Sequence, residues 1–297
     1  MDRRQFLRSA AVAGTYLALG EPGRALAAGG RPDLVAVKGG EPGAMFDRGI
    51  EALGGMKAFV KKGQKVLVKP NIGWDVPPER GGNTNPQLVA RIVEQALAAG
   101  ASEVFVFDNS CDQWDRCYKT SGIEAAARAA GAKVAPGNAE GYYQRVVLGG
   151  DTLTSAKVHE LVLQADVCVN VPVLKHHSSS ELTIGMKNHM GVVWDRGAWH
   201  RNGLHDCIAE FAAYRKPTLT VVDAYNVMKR NGPRGVTAAD VVQLKAQLLS
   251  VDPVAADAAA AKLFGTDPKD VRYIASAAKA GVGRMDLEKL DIRRIAL

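Results

Sequence analysis

Lys65-Val66-Leu67-Val68-Lys69, closed by Pro70, is the stretch that decides the fold. It has two counterparts, Val104-Phe105-Val106-Phe107 and the longer Asp166-Val167-Cys168-Val169-Asn170-Val171-Pro172-Val173-Leu174. Each is a short apolar run bounded by turn formers, the pattern of a strand buried on both faces. Between the first two lies a helical stretch from Pro86 to Ala99. Asn85 is placed to cap it, Pro86 suits its first turn, and Gly100 stops it. A second helix, Ile123 to Ala130, ends at Gly131 and leads into a strand at Lys133-Val134-Ala135. Strands alternating with helices of this length predict βαβ units: an α/β fold with a mostly parallel sheet and flanking helices. In such sheets ligands bind beyond the carboxyl ends of the strands. Lys69, Asn71 and Asp108 stand at such ends.

Outward from this centre, Leu34 to Val37 reads as a strand and Ala44 to Val60 as a helix. Residues 136–160 read as a connection with a hairpin near Arg145 to Leu148. If the chain has two lobes, they divide within 136–165; otherwise residues 28–297 form one α/β domain. Leu204 to Tyr214 has helical spacing, Leu219 to Val222 and Gln247 to Val251 read as strands, and Val254 to Phe264 is an alanine-rich helix. Asp252 before Pro253 is placed as its cap. Val271 to Ala280 is another helix, and Asp291 to Ala296 closes the chain as an edge strand.

The first 27 residues read as a targeting segment. Arg3-Arg4-Gln5-Phe6-Leu7-Arg8 has the form of a twin-arginine signal, and Ala25-Leu26-Ala27 that of a cleavage site. The apolar run between them, Ser9 to Leu19, is too short to cross a bilayer as a stable helix. The expectation is export through the twin-arginine machinery to the periplasm or beyond. The formal charge is +7, of which +2 lies in this leader. The remaining +5 is spread without a clustered basic face or stacking aromatics, which argues against nucleic acid and suits a small anionic partner. Four cysteines, Cys111, Cys117, Cys168 and Cys207, make no C-x-x-C pair, so no iron–sulfur cluster is expected. Cys111 and Cys117 could pair in an oxidising compartment. Cys168 sits in an apolar run and reads as core.

The third strand delivers the chain into Lys175 to Asp206, K-H-H-S-S-S-E-L-T-I-G-M-K-N-H-M-G-V-V-W-D-R-G-A-W-H-R-N-G-L-H-D. Five of the six histidines fall there. Imidazole is the commonest metal ligand and titrates nearest neutrality. His177, His200 and His205, with Asp195 as a fourth ligand or an orienting carboxylate, are candidates for a divalent transition metal such as nickel, iron or zinc. Lys69, Asn71 and Lys175 are candidates for holding an anionic substrate, and Lys187 and His177 for chemistry. His176 and His189 are as readily structural, and His159 reads as surface. Thr84 and Asn71 divide between pocket hydrogen bonds and turn chemistry. No Walker or G-x-G-x-x-G string supports a nucleotide cradle.

K-P-N-I at Lys69 to Ile72, T-x-P at Thr84 to Pro86, K-x-H at Lys175 to His177 and K-N-x-M-G at Lys187 to Gly191 form a combination. W-H-x-x-x-x-H at Trp199 to His205, N-G-P at Asn231 to Pro233 and D-P-V-A-x-D at Asp252 to Asp257 complete it. Together they resemble the domain-of-unknown-function family number 362, over nearly the whole chain after the leader. Some members carry a ferredoxin-type cysteine cluster, which this sequence lacks. The order His177, Lys187, His200 is also similar to that in lactate racemase-type nickel-pincer enzymes. That resemblance implies Lys187 as tether of an organometallic cofactor, His200 as metal ligand and His177 as acid/base. The glycine-rich context of the racemase lysine is replaced here by Met186 and Asn188. The resulting expectation is an exported metal- or metal-cofactor-dependent enzyme. It would move a proton or hydride on a small anionic substrate, as a racemase or oxidoreductase does. The alternative is a periplasmic protein that binds a ligand or cofactor without turnover.

Overall fold

In the computed structural model, which describes residues 30–297, there are twelve strands, and Lys65–Pro70 is the second of them. The leader read over residues 1–27 lies outside the described residues. In chain order the strands are β1 (Leu34–Lys38), β2 (Lys65–Pro70), β3 (Glu103–Val106), β4 (Lys133–Val134), β5 (Tyr143–Val147) and β6 (Ser155–His159). They continue with β7 (Val167–Val171), β8 (Val173–His177), β9 (Glu181–Thr183), β10 (Leu219–Met228), β11 (Val241–Ser250) and β12 (Ile292–Ala296). Ten form one sheet in the order β12-β1-β11-β10-β7-β2-β3-β4, with β8 beside β10 and β9 beside β8. The central pairs β10–β7, β7–β2, β2–β3 and β3–β4 are all parallel. Antiparallel pairing enters through β11, which separates β1 from β10, and through β9. The α/β class and the mostly parallel sheet are as the sequence predicts, with β12 on the edge.

Both faces of the sheet are covered. Val66 and Val68 of β2 belong to one apolar cluster and Leu67 between them to the other, because successive side chains leave a strand on opposite faces. The Pro86–Ala98 helix begins as its sequence dictates, with the Asn85 side chain accepting the Gln87 N–H at 2.9 Å. Asp252 caps the Pro253–Phe264 helix by accepting the N–H groups of Val254 and Ala255 at 2.9 and 3.0 Å.

Four readings are corrected. The Ala44–Val60 helix runs instead from Pro42 to Ala52, because Gly54 and Gly55 both take positive φ (99° and 78°) and turn the chain. The run from Asp166 to Leu174 is two strands: Pro172 has no N–H for a ladder and divides β7 from β8. β10 and β11 are each ten residues long, because polar residues such as Asp223, Asn226 and Gln243 continue the pairing past the apolar runs. His159 is not at the surface: it is 1% exposed and stacked 3.9 Å from Phe107. Its Nδ1 accepts the Leu161 N–H at 3.2 Å, so it caps the short Glu160–Gln164 helix. The four cysteines are free thiols, Cys168 buried in the core and Cys111 exposed.

Candidate anion-binding site

Segments after β2, β3 and β8 meet at one end of the sheet and enclose a cavity of about 270 Å³. β2 ends in Lys69, fully buried. Its Nζ lies 2.8 Å from Asp108 Oδ1, just past the end of β3, and donates to Asn188 Oδ1 at 3.0 Å. The other carboxylate oxygen of Asp108 accepts the Ile72 N–H at 2.7 Å. A buried ion pair survives when hydrogen bonds satisfy its remaining atoms in this way. The segment after Lys187 crosses the pair so closely that a Cβ at Gly191 would stand 1.9 Å from Asp108 Oδ1 and 2.6 Å from Lys69 Nζ. Only glycine fits there.

Lys175, on β8, is 1% exposed and donates to Asn71 Oδ1 at 3.1 Å and to the Gly82 carbonyl at 2.5 Å. The Asn71 amide in turn donates to Asn188 Oδ1 at 2.9 Å. Asn188 therefore joins both lysine loops. Its own amide donates to Asn170 Oδ1 at 2.9 Å and to the Lys69 carbonyl at 3.2 Å.

Lys187 stands on the short Gly185–Asn188 helix. Asp257, fully buried in the Pro253–Phe264 helix, holds that turn from behind. It accepts the N–H groups of Gly185 and Met186 at 2.8 and 2.9 Å. Asn170 ties the far side, donating to the Gly185 carbonyl at 2.8 Å. So the backbone of Lys187 is fixed while its side chain is not. Lys187 is 9% exposed and lines the cavity, and its Nζ has no hydrogen bond or ion pair among the described residues.

Burial pulls Lys187 down to about 8, reinforced by Arg196 and Lys69 and opposed by Cys111 and Asp108. Burial, with Lys187 and Lys69 adding to it, pulls Lys175 down to about 7. Lys69 is lowered by burial and held up by Asp108. His177, 9% exposed, is pushed far below the usual imidazole range by burial and then by Lys187 and Lys175. Its Nδ1 accepts the Ser179 N–H at 3.1 Å, so the neutral ring carries its proton on Nε2. Arg196 completes the wall, its guanidinium donating to the carbonyls of Asn109 and Ser110. Four cationic side chains thus face one carboxylate across a small space, an arrangement that concentrates anions.

The expected residues divide. Lys69, Asn71, Lys175, His177, Lys187 and His200 all line this cavity. His205 does not: it faces a second, adjoining cavity. Asp195 is exposed and sits toward Lys157, whose pKa it helps to raise. The shared metal shell expected of His200, His205 and Asp195 is therefore not assembled. His200 and His205 both line that second cavity, with Gly203 at φ 120° between their helices, but Asp195 does not line it and no third ligand among the described residues joins them. Among the described residues no three His, Cys, Asp or Glu side chains are grouped to hold a metal ion. The donor set does not fit a metal held by three protein side chains. Of the histidines left open, His176 is structural, its Nδ1 accepting the Gly232 N–H at 3.1 Å. His189 is buried with its ring edge toward Phe211. Thr84 serves the turn, accepting the Asn71 N–H and donating to the Val171 carbonyl. Sequence reasoning missed Asn188, Arg196 and Cys111 as pocket residues and gave Asp257 little weight.

An α/β protein with a cationic pocket at the carboxyl ends of its central strands is the class that fold and site define. The chain belongs to the family described as "Domain of unknown function (DUF362)", which matches residues 66–262. It is 26% identical over 241 residues to a thylakoid-associated protein of Synechocystis, an overlap of 78% of this chain and 73% of that one. Among solved structures it is similar to the lactate racemase apoprotein from Thermoanaerobacterium thermosaccharolyticum. The TM-score is 0.45 at 12% identity, covering 73% of this chain and 54% of that one. A Thermotoga maritima protein gives 0.46 at 13%, covering 81% of this chain and 60% of that one. The chain thus spans between about half and three fifths of those two structures.

Proposed function

We propose that this protein is an enzyme that binds a small anionic substrate in the cationic pocket and moves a proton on it. The observation that carries this reading is Lys187. Its amine stands in the cavity without a protein hydrogen bond or ion pair among the described residues, which leaves it open to a ligand. With a pKa of about 8 the amine is partly neutral at physiological pH, where it can accept a proton. In this reading Lys69 and Arg196 supply fixed positive charge, and Lys175 steers the anion. Lys187 takes the proton from the substrate, leaving the electron pair behind. His177 donates from Nε2 to the oxygen on which charge develops. A transition-metal group, if this protein carries one, would be tethered at Lys187 beside His200, and the proton would then pass to His177 instead. With residues 1–27 read as a twin-arginine signal, the reaction takes place outside the cytoplasm.

The test is proton exchange. Small hydroxy and keto acids that bind the protein are incubated with it in D2O and followed by NMR. The expected result is exchange at the carbon beside the carboxylate of a hydroxy acid, or beside the keto group of a keto acid, for at least one acid, reduced at least 100-fold in Lys187→Met. Equal exchange in Lys187→Met, or no exchange with any acid that binds, would overturn the enzymatic reading. Intact-mass measurement of the protein from its own host adds two checks: a mature chain beginning at Ala28, and any covalent group on Lys187.

A further inference from the structure

Cys111 is the one exposed thiol of the four, and it lines the anion pocket. Cys117, Cys168 and Cys207 are buried, and burial pushes each of them up to about 11. The Cys111 backbone is fixed. Its N–H donates to the Gly73 carbonyl at 2.9 Å, and Arg196 holds the two residues before it through the carbonyls of Asn109 and Ser110. A Cβ at Gly73 would lie 3.9 Å from Cys111 Sγ and 3.4 Å from Asn71 Oδ1, the oxygen to which Lys175 donates. The thiol therefore stands next to the lysine network. Burial lowers Lys69, Lys175 and Lys187, and Cys111 is close enough to counter it at all three. The thiolate is the nucleophilic form of cysteine, and reactive cysteines are partly exposed thiols in positive surroundings, whereas buried ones are inert.

Two further groups in the same cavity are open to an anion. Lys187 and His177 are each 9% exposed, and neither Lys187 Nζ nor His177 Nε2 has a hydrogen-bond or ion-pair partner among the described residues. Neither atom is sealed, and both side chains line the cavity. We propose that Cys111 is a covalent modification site of this pocket, for a small carboxylate that carries a leaving group on its α carbon. The carboxylate docks on Lys175, Lys187 and His177 Nε2, which brings the α carbon to the sulfur. The thiol proton goes to water, the thiolate forms an S–C bond, and the leaving group departs with its electron pair. The carboxylate of the adduct stays among the lysines and closes the pocket. The anion reading of the pocket is a premise here; the exposed thiol beside the unpartnered donors extends it.

Iodoacetate and iodoacetamide are the probes. They share a leaving group, and toward a free thiol the neutral amide reacts faster. Peptide mass mapping gives the rate of each at Cys111. The expected result is a reversed order, with iodoacetate faster at Cys111 by roughly tenfold, because the cations concentrate it. Sulfate should slow iodoacetate at least fivefold, more than potassium chloride of equal ionic strength does, and leave iodoacetamide within twofold. Lys187→Met should lower the ratio of the two rates; the sulfate competition makes the same measurement on the unaltered protein. The carboxymethylated protein should bind sulfate at least tenfold more weakly, and the carbamidomethylated protein should lose less. If sulfate binds by calorimetry but iodoacetate is no faster than iodoacetamide, the modification site is overturned and the anion pocket stands. Undiminished sulfate affinity after complete carboxymethylation would overturn it too. If sulfate does not bind and the order is not reversed, the anion pocket itself falls.

Discussion

Lys69 and Asp108 are sealed from water, and each is the other's only opposite charge at hydrogen-bonding distance among the described residues. Removing one partner strands a buried charge, which costs roughly 3–5 kcal/mol. Asp108→Asn is therefore expected to lower the unfolding free energy by about that amount in urea titration, and Lys69→Met with Asp108→Asn to recover part of it. Lys175 and Lys187 behave differently, because burial has depressed them to about 7 and about 8 from 10.5. The unfolded chain keeps those protons up to about 10.5, whereas the folded chain releases them above about 7 and 8. Stability should thus rise with pH across that window, and Lys187→Met should remove part of the rise. Denaturation at pH 7 and pH 9.5 measures it. At this scale the sequence was informative where a residue announced itself. Lys69, Lys175 and Lys187 each belong to a motif at or near a strand end. Asn188 did not announce itself, because its role comes from bonds to Lys69 and Asn71, 119 and 117 residues away. Pairwise closure of that kind has no local signature.

The element that matters most is the single turn Gly185–Asn188. Too short to be stable alone, it is held by Asp257 through two amide hydrogen bonds and by Asn170 through a third. Asp257→Ala would leave two buried N–H groups without partners and should cost roughly 2–4 kcal/mol. It should also loosen Lys187 and weaken anion binding without touching the anion. Gly185→Ala tests the same contact from the other side, since its Cβ would stand 2.7 Å from Asp257 Oδ1. Sulfate affinity in both variants, measured on protein shown to be folded by circular dichroism, checks the coupling; unchanged affinity would remove Asp257 from the account. The strands and long helices were legible because apolar period and caps repeat within them, as at Asn85-Pro86 and Asp252-Pro253. The short turn was not, because tertiary hydrogen bonds make it. Nor was the break at Gly203, since a glycine between two helical patterns does not say which way the chain turns.

At the scale of the molecule, parallel strands bring segments far apart in sequence to one edge, and that edge is where the cations gather. The sheet was readable from three apolar runs, and the position of the pocket followed from the rule that ligands sit beyond the strand ends. What the cluster of histidines suggested was a metal shell. What the fold builds is a pocket of lysines with His177 and His200 on its wall, while His205 lines only the adjoining cavity and Asp195 lines neither. The central claim is that the charge on Lys175 and Lys187 strengthens anion binding beside the fixed charge of Lys69 and Arg196. Calorimetric titration with sulfate from pH 6 to pH 9 tests it most directly. The account predicts an affinity that falls at least tenfold as pH rises through 7 to 8, with proton uptake on binding near the middle of that range. It also predicts a weaker and flatter profile in Lys187→Met. Affinity independent of pH, or a Lys187→Met profile matching the wild type, would contradict it.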